Sequence, residues 1–371
     1  MYVSSVSLQS FRNYENLEFS PHHHTNLLIG GNAQGKSSIL EALYLLSTSR
    51  SYRPTTDEEL IRVRSTYARI MAAVDRSTRP NVLLEMIISR NKRRLVRVDK
   101  KERRKLTEFI GQLNTVVFSA FDVEMVRGEP ALRRRFLDIE LSQISSHYLH
   151  ALVQYKRALE HRNHALRSVR EGQVDQEVLD ALDRQLVLYG SEVIRKRIDF
   201  VSSLASEAQK IYNQISSGEE VLLISYKTSA LTEELEQEEL ADRLADLLLE
   251  KRDADIARGI TTVGPHRDDV DMTINGLSVR NYASQGQHRS VAIALKLAQA
   301  NIFRTSLGEP PVMLLDDVSA DLDQQRRSQV LSFVANGFQS FVTATSIADL
   351  PIDVLREYAV FEVKGGSIRR L

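Results

Sequence analysis

Apolar positions along this chain of 371 residues change their period along its length. As far as residue 118 they fall in short runs with two-residue alternation, the mark of strands with one buried face. Residues 3–8 and 17–19 predict two short strands, turned at Phe11-Arg12-Asn13-Tyr14. Leu27-Leu28-Ile29 is an unbroken apolar run, which predicts a fully buried strand. Ile39-Leu40-Glu41-Ala42-Leu43 then opens a helical period. Residues 68–74, 82–89 and 95–98 predict a β-meander with Asn91-Lys92 at one turn, and Val116-Val117-Phe118 a buried strand.

From Pro130 the spacing becomes three to four. Leu132, Phe136, Ile139, Ile144, Tyr148, Leu152 and Tyr155 mark one helical stripe. A second helix is expected over about 176–215, carrying Leu179, Leu182, Leu186, Tyr189, Val193, Ile194 and Ile198 and ended by Ser216-Ser217-Gly218. Some 40 residues of helix reach ~60 Å. Its heptads are too irregular for a long coiled coil. Residues 221–227 predict a short strand, and 233–257 a third helix whose acidic first turn suits the helix dipole. Residues 270–274 and 277–280 around Asn275-Gly276 predict a hairpin. An apolar helix over 291–302 follows. The expected organisation is a discontinuous head, residues 1–118 plus 257–371, interrupted by an α-rich arm over 119–256.

Candidate chemistry sits where the buried run meets its helix. Gly30-Gly31-Asn32-Ala33-Gln34-Gly35-Lys36-Ser37 has the form G-x-x-x-x-G-K-S between a strand and a helix, the pattern of a phosphate-binding P-loop. Its glycines let successive N–H groups face phosphate oxygens, and the helix start adds its positive dipole end through Ser38. Lys36 suits the β- and γ-phosphates, and the Ser37 hydroxyl suits Mg²⁺. The second half is Pro310-Pro311-Val312-Met313-Leu314-Leu315-Asp316-Asp317, an apolar strand ending in two carboxylates. Asp316 is placed for Mg²⁺, and Asp317 to orient or deprotonate an attacking water. Lys36 and Asp316 are 280 residues apart, so the nucleotide domain is split. A GTPase reading fails because Asn91-Lys92 is followed by Arg93-Arg94 and no base-reading Asn-Lys-x-Asp occurs.

Composition narrows the class. There is no cysteine, which excludes disulfides and thiolate metal sites and fits a reducing cytosol. Met1-Tyr2-Val3-Ser4-Ser5 does not read as a signal peptide, and no apolar run reaches membrane-spanning length, so a cytoplasmic location without membrane contact is expected. His22-His23-His24 reads as a solvated turn. Net charge is zero but uneven: 28 Lys and Arg against 17 Asp and Glu in residues 1–170, a net +11, and 21 against 32 in residues 171–371, a net −11. Ten of the sixteen residues 90–105 are basic. Interleaved with Leu95, Val96 and Val98, they suit a ribbon with one packed and one basic face. Arg93, Arg94, Arg97, Lys100, Lys101, Arg103 and Arg104 are therefore candidate DNA-backbone contacts, against the plainer reading of a solvated face. Arg133-Arg134-Arg135 stand against a helix dipole and call for a partner: a carboxylate, a phosphate or a second subunit. An arginine of the basic loop 47–54 is within reach of a nucleotide, with a solvated loop as the equal alternative.

Ala283-Ser284-Gln285-Gly286-Gln287-His288-Arg289, ahead of the last apolar helix, resembles the ABC-class signature. Ser284 is an N-cap candidate, and Gly286 permits close backbone approach. The resemblance implies a head-to-tail sandwich in which Ser284, Gln285, Gly286 and Gln287 of one copy cap the γ-phosphate bound by the other. Together with Phe11-Arg12-Asn13-Tyr14, Arg133-Arg134-Arg135-Phe136-Leu137-Asp138, Val263-Gly264-Pro265-His266-Arg267-Asp268-Asp269 and Leu314-Leu315-Asp316-Asp317-Val318, in this order, the set closely resembles the RecF family of bacterial recombination mediators over essentially the whole chain. That implies an α/β P-loop ABC-type ATPase head of mixed sheets and helices split by an arm, similar to SMC heads. It also implies ATP and Mg²⁺ as ligands, an ATP-dependent homodimer, and binding of double-stranded DNA or single–double strand junctions. With RecR and RecO, such a protein promotes RecA loading at gaps. Asp317 stands where ABC transporters have Glu, so slow hydrolysis is expected. Thr345 is the candidate for the missing switch histidine, Gln112 for the Q-loop. The loop Ser319-Ala320-Asp321-Leu322-Asp323 departs from the expected Ser-Glu-Leu-Asp ending. The rival readings are another SMC-like ATPase, a non-hydrolysing clamp and a transporter ATPase subunit.

Overall fold

Three sheets carry the strands in the computed structural model, which describes residues 1–230, 239–317 and 323–371. The first is antiparallel and comprises β1 (Tyr2–Phe11), β2 (Tyr14–Phe19), β4 (Tyr67–Asp75), β5 (Val82–Ser89), β6 (Leu95–Val98) and β7 (Lys101–Arg103), in spatial order β2-β1-β4-β5-β6-β7. The predicted meander is thus continuous with the first two strands. The second sheet is largely parallel: β3 (Thr25–Ile29), β8 (Thr115–Phe118), β12 (Val312–Leu315), β13 (Ser340–Ala344), β14 (Tyr358–Lys364) and β15 (Ser367–Arg370), ordered β15-β14-β3-β13-β12-β8.

Helix α1 (Lys36–Thr48) lies between these sheets, and its residues from Ile39 to Thr48 are all buried. It has no polar face because a sheet covers each side. Alternation in the parallel sheet divides its side chains between two cores. Leu28 and Leu314 join α1 and the antiparallel sheet. Leu27, Met313 and Leu315 pack instead with Ile293, Leu297 and Phe303 of α10 (Gln285–Leu307) and with Val330 and Leu331 of the helix Gln324–Val334. This accounts for unbroken apolar runs in β3 and β12.

The arm begins after β8. Short helices α2 (Asp57–Leu60) and α9 (Val279–Tyr282) lie outside its main body, which holds α3 (Phe121–Arg127), α4 (Pro130–Ile144), α5 (Ser146–Arg170), α6 (Val178–Ile215), α7 (Leu240–Glu250) and α8 (Arg252–Arg258). The stripe expected as one helix from Pro130 is broken at Ser145, whose backbone is extended (φ −140°, ψ 105°) and whose side chain accepts the Tyr148 N–H. The expected helix over 233–257 is α7 and α8, separated at Lys251; its residues 233–238 lie outside the described residues. The late hairpin forms as expected at Asn275-Gly276, but its second strand ends at Ser278, where α9 begins, and its first strand has a further partner. β10 (Asp269–Ile274) pairs with β11 (Leu277–Ser278) on one side and with β9 (Leu222–Lys227) of the arm on the other. A boundary at 256/257 therefore cuts through a three-stranded sheet.

Candidate functional site

The P-loop leaves the C-terminal end of β3 and is held from two directions. Asn13 Nδ2 donates to the Gln34 carbonyl at 2.9 Å, and Tyr14 Oη donates to the Gly35 carbonyl at 3.0 Å. From the other side the β14–β15 turn closes on it, where the Gly365 N–H donates to Gln34 Oε1 at 2.7 Å. Both neighbours come close enough to exclude side chains. A Cβ at Gly30 would lie 2.2 Å from the Val363 carbonyl oxygen, and Gly35, at φ 114°, would place one 2.7 Å from Tyr14 Oη. Arg12 grips α1 through the buried Glu41, with Nε and Nη2 donating to its two oxygens at 2.9 and 2.8 Å. The turn at 11–14 is thus the brace of the phosphate loop.

Lys36 Nζ donates to the Gly30 and Gly31 carbonyls at 2.5 and 2.8 Å. Its pKa is lowered by burial, against the pull of Asp317 and Asp316. Those acids follow β12. Asp316 Oδ2 accepts from Tyr52 Oη at 2.8 Å and from Arg53 Nη2 at 2.9 Å, and its Oδ1 accepts from Thr343 Oγ1 at 3.1 Å. Loop 47–54 therefore does reach the site, through Tyr52 and Arg53. Tyr52 Oη, its proton on Asp316, also lies 3.4 Å from the Ser37 carbonyl oxygen at the start of α1. The Ser37 hydroxyl, in the P-loop cavity, and the Asp316 carboxylate, held by Tyr52 and Arg53, are hard oxygen donors, the chemistry that suits Mg²⁺. Asn32 to Ser38, Arg12, Asn13, Arg53, Asp317 and Thr343 line one open cavity of about 950 Å³, together with the segment around Arg62, Val63 and Arg64.

The signature segment builds a capped helix start. Ser284 Oγ accepts the Gln287 N–H at 3.2 Å, and Gln287 Oε1 accepts the Ser284 N–H at 2.8 Å. Gln287 Nε2 donates to Glu220 Oε1 at 2.7 Å, and Arg326 Nη2 lies 3.5 Å from the Gly286 carbonyl oxygen. Among the described residues, Ser284, Gln285, Gly286 and Gln287 do not line the P-loop cavity. Gln285 meets Asp316 and Asp317 only across a separate cavity of about 240 Å³, which no P-loop residue lines.

Other candidates are placed differently from expectation. Thr345 is exposed and donates to Asp349 Oδ2 at 2.7 Å; the hydroxyl that touches the acids is Thr343. Gln112 precedes β8, and the parallel register of β8, β12, β13 and β3 puts it at the edge opposite the P-loop. Ser319 to Leu322 lie outside the described residues; Asp323 caps the following helix. On the ribbon, Val96 and Val98 are buried and the charges divide. Arg94 is tied to Asp57 and to the Ser49 carbonyl, Arg97 to Glu85 at 3.1 Å, and Arg103 faces Glu108 at 3.8 Å. Arg93, Lys100, Lys101 and Arg104 are exposed. The partner that Arg133 called for is a carboxylate, since it forks onto Asp269 at 2.7 and 2.8 Å. Arg134 donates to the Asp268 carbonyl and Arg135 to that of Ser51. The two motifs at 133–138 and 263–269 thus hold the arm together, with Arg197 Nη2 on Asp138 at 2.6 Å and Arg197 Nη1 on the Pro265 carbonyl at 2.6 Å. Arg53 is the loop arginine that was expected to reach the site, and Asn13 and Tyr14 belong to the motif at 11–14; Tyr52 and Thr343 are the site residues that the sequence did not identify. No helix among the described residues is long and apolar enough to cross a membrane.

The family model described as RecF/RecN/SMC N terminal domain matches residues 2–363. The DNA replication and repair protein RecF of Bacillus subtilis (strain 168) is 38% identical over 370 residues, covering 99% of this chain and 100% of that protein. The protein of the same name from Latilactobacillus sakei subsp. sakei (strain 23K) is 39% identical over 373 residues, covering 99% and 98%. A solved structure of the recombination mediator protein RecF with ATP, in the RecFOR pathway, matches with a TM-score of 0.92 at 33% identity, covering 100% of this chain and 97% of that one. An Smc head bound to the C-winged helix domain of ScpA matches with a TM-score of 0.56 at 12% identity, which shows the shared head fold alone. On this extent of agreement, the chain belongs to the RecF family of DNA replication and repair proteins.

Proposed function

We propose that this protein is an ATP-dependent, DNA-binding recombination mediator, acting in the cytoplasm as a head-to-tail dimer that ATP completes. The observation that carries the reading is the P-loop cavity: it gathers Lys36, Ser37 and Asp317, while the signature cap at Ser284 opens elsewhere. A helix N-terminus capped at Ser284, with Gly286 beside it, is built to face an anion. The nucleotide whose γ-phosphate it meets is then one bound by a second copy.

Residues 30–38 hold the triphosphate, with Lys36 on the β- and γ-phosphates. Mg²⁺, held by Ser37 and Asp316, neutralises phosphate charge when bound. Asp317 orients and accepts a proton from the attacking water. Its short carboxylate holds that water less well than Glu, so hydrolysis is slow and binding does the closing. Arg93, Lys100, Lys101 and Arg104 supply phosphate contacts to duplex DNA or single–double strand junctions. The protein works with RecR and RecO toward RecA loading at gaps, a reading that the RecFOR pathway named for the solved relative supports as far as the partnership.

Gel shifts with duplex, gapped and single-stranded DNA, with ADP, ATP or a non-hydrolysable ATP analogue, test this reading. Retention of duplex and gapped DNA is expected to rise with ATP and the analogue. Equal retention with ADP would remove the ATP-gated clamp.

A further inference from the structure

Where the parallel sheet stops, one hydroxyl takes over from the ladder. β12 pairs with β13 as far as Leu315 opposite Val342. The next amide, that of Asp316, donates to the Phe118 carbonyl at 2.9 Å, on the β8 side. The Asp317 amide turns the other way and donates to Thr343 Oγ1 at 2.7 Å. The same Oγ1 donates its proton to Asp316 Oδ1 at 3.1 Å. A hydroxyl has one proton to give and lone pairs to accept with, so both bonds are satisfied together. Thr343 is 1% exposed, which leaves little water to replace either bond. Asp317 also sits at φ 52°, a left-handed conformation that a non-glycine residue holds only with support.

We infer that Thr343 is the positioning residue of this site, setting the Asp316 carboxylate and the Asp317 backbone with a single side-chain oxygen. This rests on the nucleotide reading above. Asp316 is held by Tyr52 and Arg53 on its other oxygen. Thr343 bonds Asp317 as well, so it fixes the acid that holds the metal relative to the acid that holds the water. Thr345, two residues on, bonds Asp349 and does not substitute for it.

Thr343→Val keeps the shape and removes the oxygen; Thr343→Ser keeps the oxygen and removes a methyl. Affinity for a fluorescent ATP analogue, without Mg²⁺ and across an Mg²⁺ titration, is measured beside single-turnover hydrolysis. Thr343→Val is expected to match the wild type without Mg²⁺. It is expected to need about tenfold or more Mg²⁺ for half-maximal effect and to hydrolyse about tenfold or more slowly, the usual size for loss of a ligand-orienting partner. Thr343→Ser restores both. A Thr343→Val protein with the wild-type Mg²⁺ requirement and turnover would overturn the role, as would a Thr343→Ser protein as impaired as Thr343→Val. If Thr343→Val does not fold, the Thr343→Ser comparison decides. Were the wild type itself to take up no ATP, the proposed function would fall first and this role with it.

Discussion

Gly30 touches the Val363 carbonyl so closely that an added methyl forces the phosphate loop or β14 to move. Gly30→Ala is expected to lose nearly all ATP affinity, which isothermal titration against the wild type would show. A second prediction at this scale concerns charge. His266 Nε2 faces the Thr261 carbonyl at 3.0 Å and so carries the proton, which leaves Nδ1 to accept from Tyr155 Oη at 2.6 Å. Burial pushes His266 down to about 4 from 6.5, and pushes neighbouring Asp268 up to about 6 from 3.8. Protonating His266 favours the unfolded chain, so its contribution to stability is lost as pH falls from 6.5 to 4. Asp268 acts in the opposite sense: its folded form holds the proton more tightly, and stability from it grows as pH falls from 6 to 3.8. Asp268→Asn removes that compensation. Its deficit relative to the wild type, read from urea midpoints, is therefore expected to be larger at pH 4.5 than at pH 7. Residues whose chemistry depends on local spacing, such as Gly30 to Ser37 and Asp316-Asp317, were legible in the sequence. An arginine of loop 47–54 was legible as a candidate, and Arg53 is the one that arrives; Tyr52 and Thr343 were not, because each meets Asp316 only through the fold.

At the scale of elements, period carried the strands and the long α6 but missed a break that changes no period. Ile144 and Tyr148 continue one stripe across Ser145, which is neither glycine nor proline. The signal was a cap: Ser145 accepts the Tyr148 amide and restarts the helix. Ser145→Ala is expected to cost about 1 kcal/mol in thermal or urea unfolding. The basic ribbon shows the converse limit. Ten basic residues in sixteen announce a face, but pairing decides which remain available. Arg94 is engaged by Asp57 and the Ser49 carbonyl, where no local spacing would place it. Joint replacement of Arg93, Lys100, Lys101 and Arg104 by Ala is expected to weaken DNA binding. The salt slope should become shallower by about 0.9 for each phosphate that is no longer neutralised. An unchanged slope would leave the ribbon a solvated face. Arg94→Ala is expected to lower stability with little change in that slope.

At the scale of the whole molecule, the discontinuous head was legible because both halves of a nucleotide site stand 280 residues apart. The seam was not. β9 and β10 pair across residues 222–274, and such pairing leaves no mark in either strand's own pattern. Through Arg133 on Asp269 and Arg197 on the Pro265 carbonyl, the returning chain is bound to the arm before α10 carries the signature back to the parallel sheet. The central claim is that each nucleotide site takes its P-loop from one copy and its signature from another. Lys36→Ala removes the first half and Ser284→Arg the second. In a mixed dimer both lesions fall in one of the two sites, and the other site is intact. The direct measurement is sedimentation of each variant, and of their equimolar mixture, with a non-hydrolysable ATP analogue. Monomers for each variant alone and a dimer in the mixture are predicted. A mixture that stays monomeric while the wild type dimerises, or a Ser284→Arg protein that dimerises unaided, would contradict it.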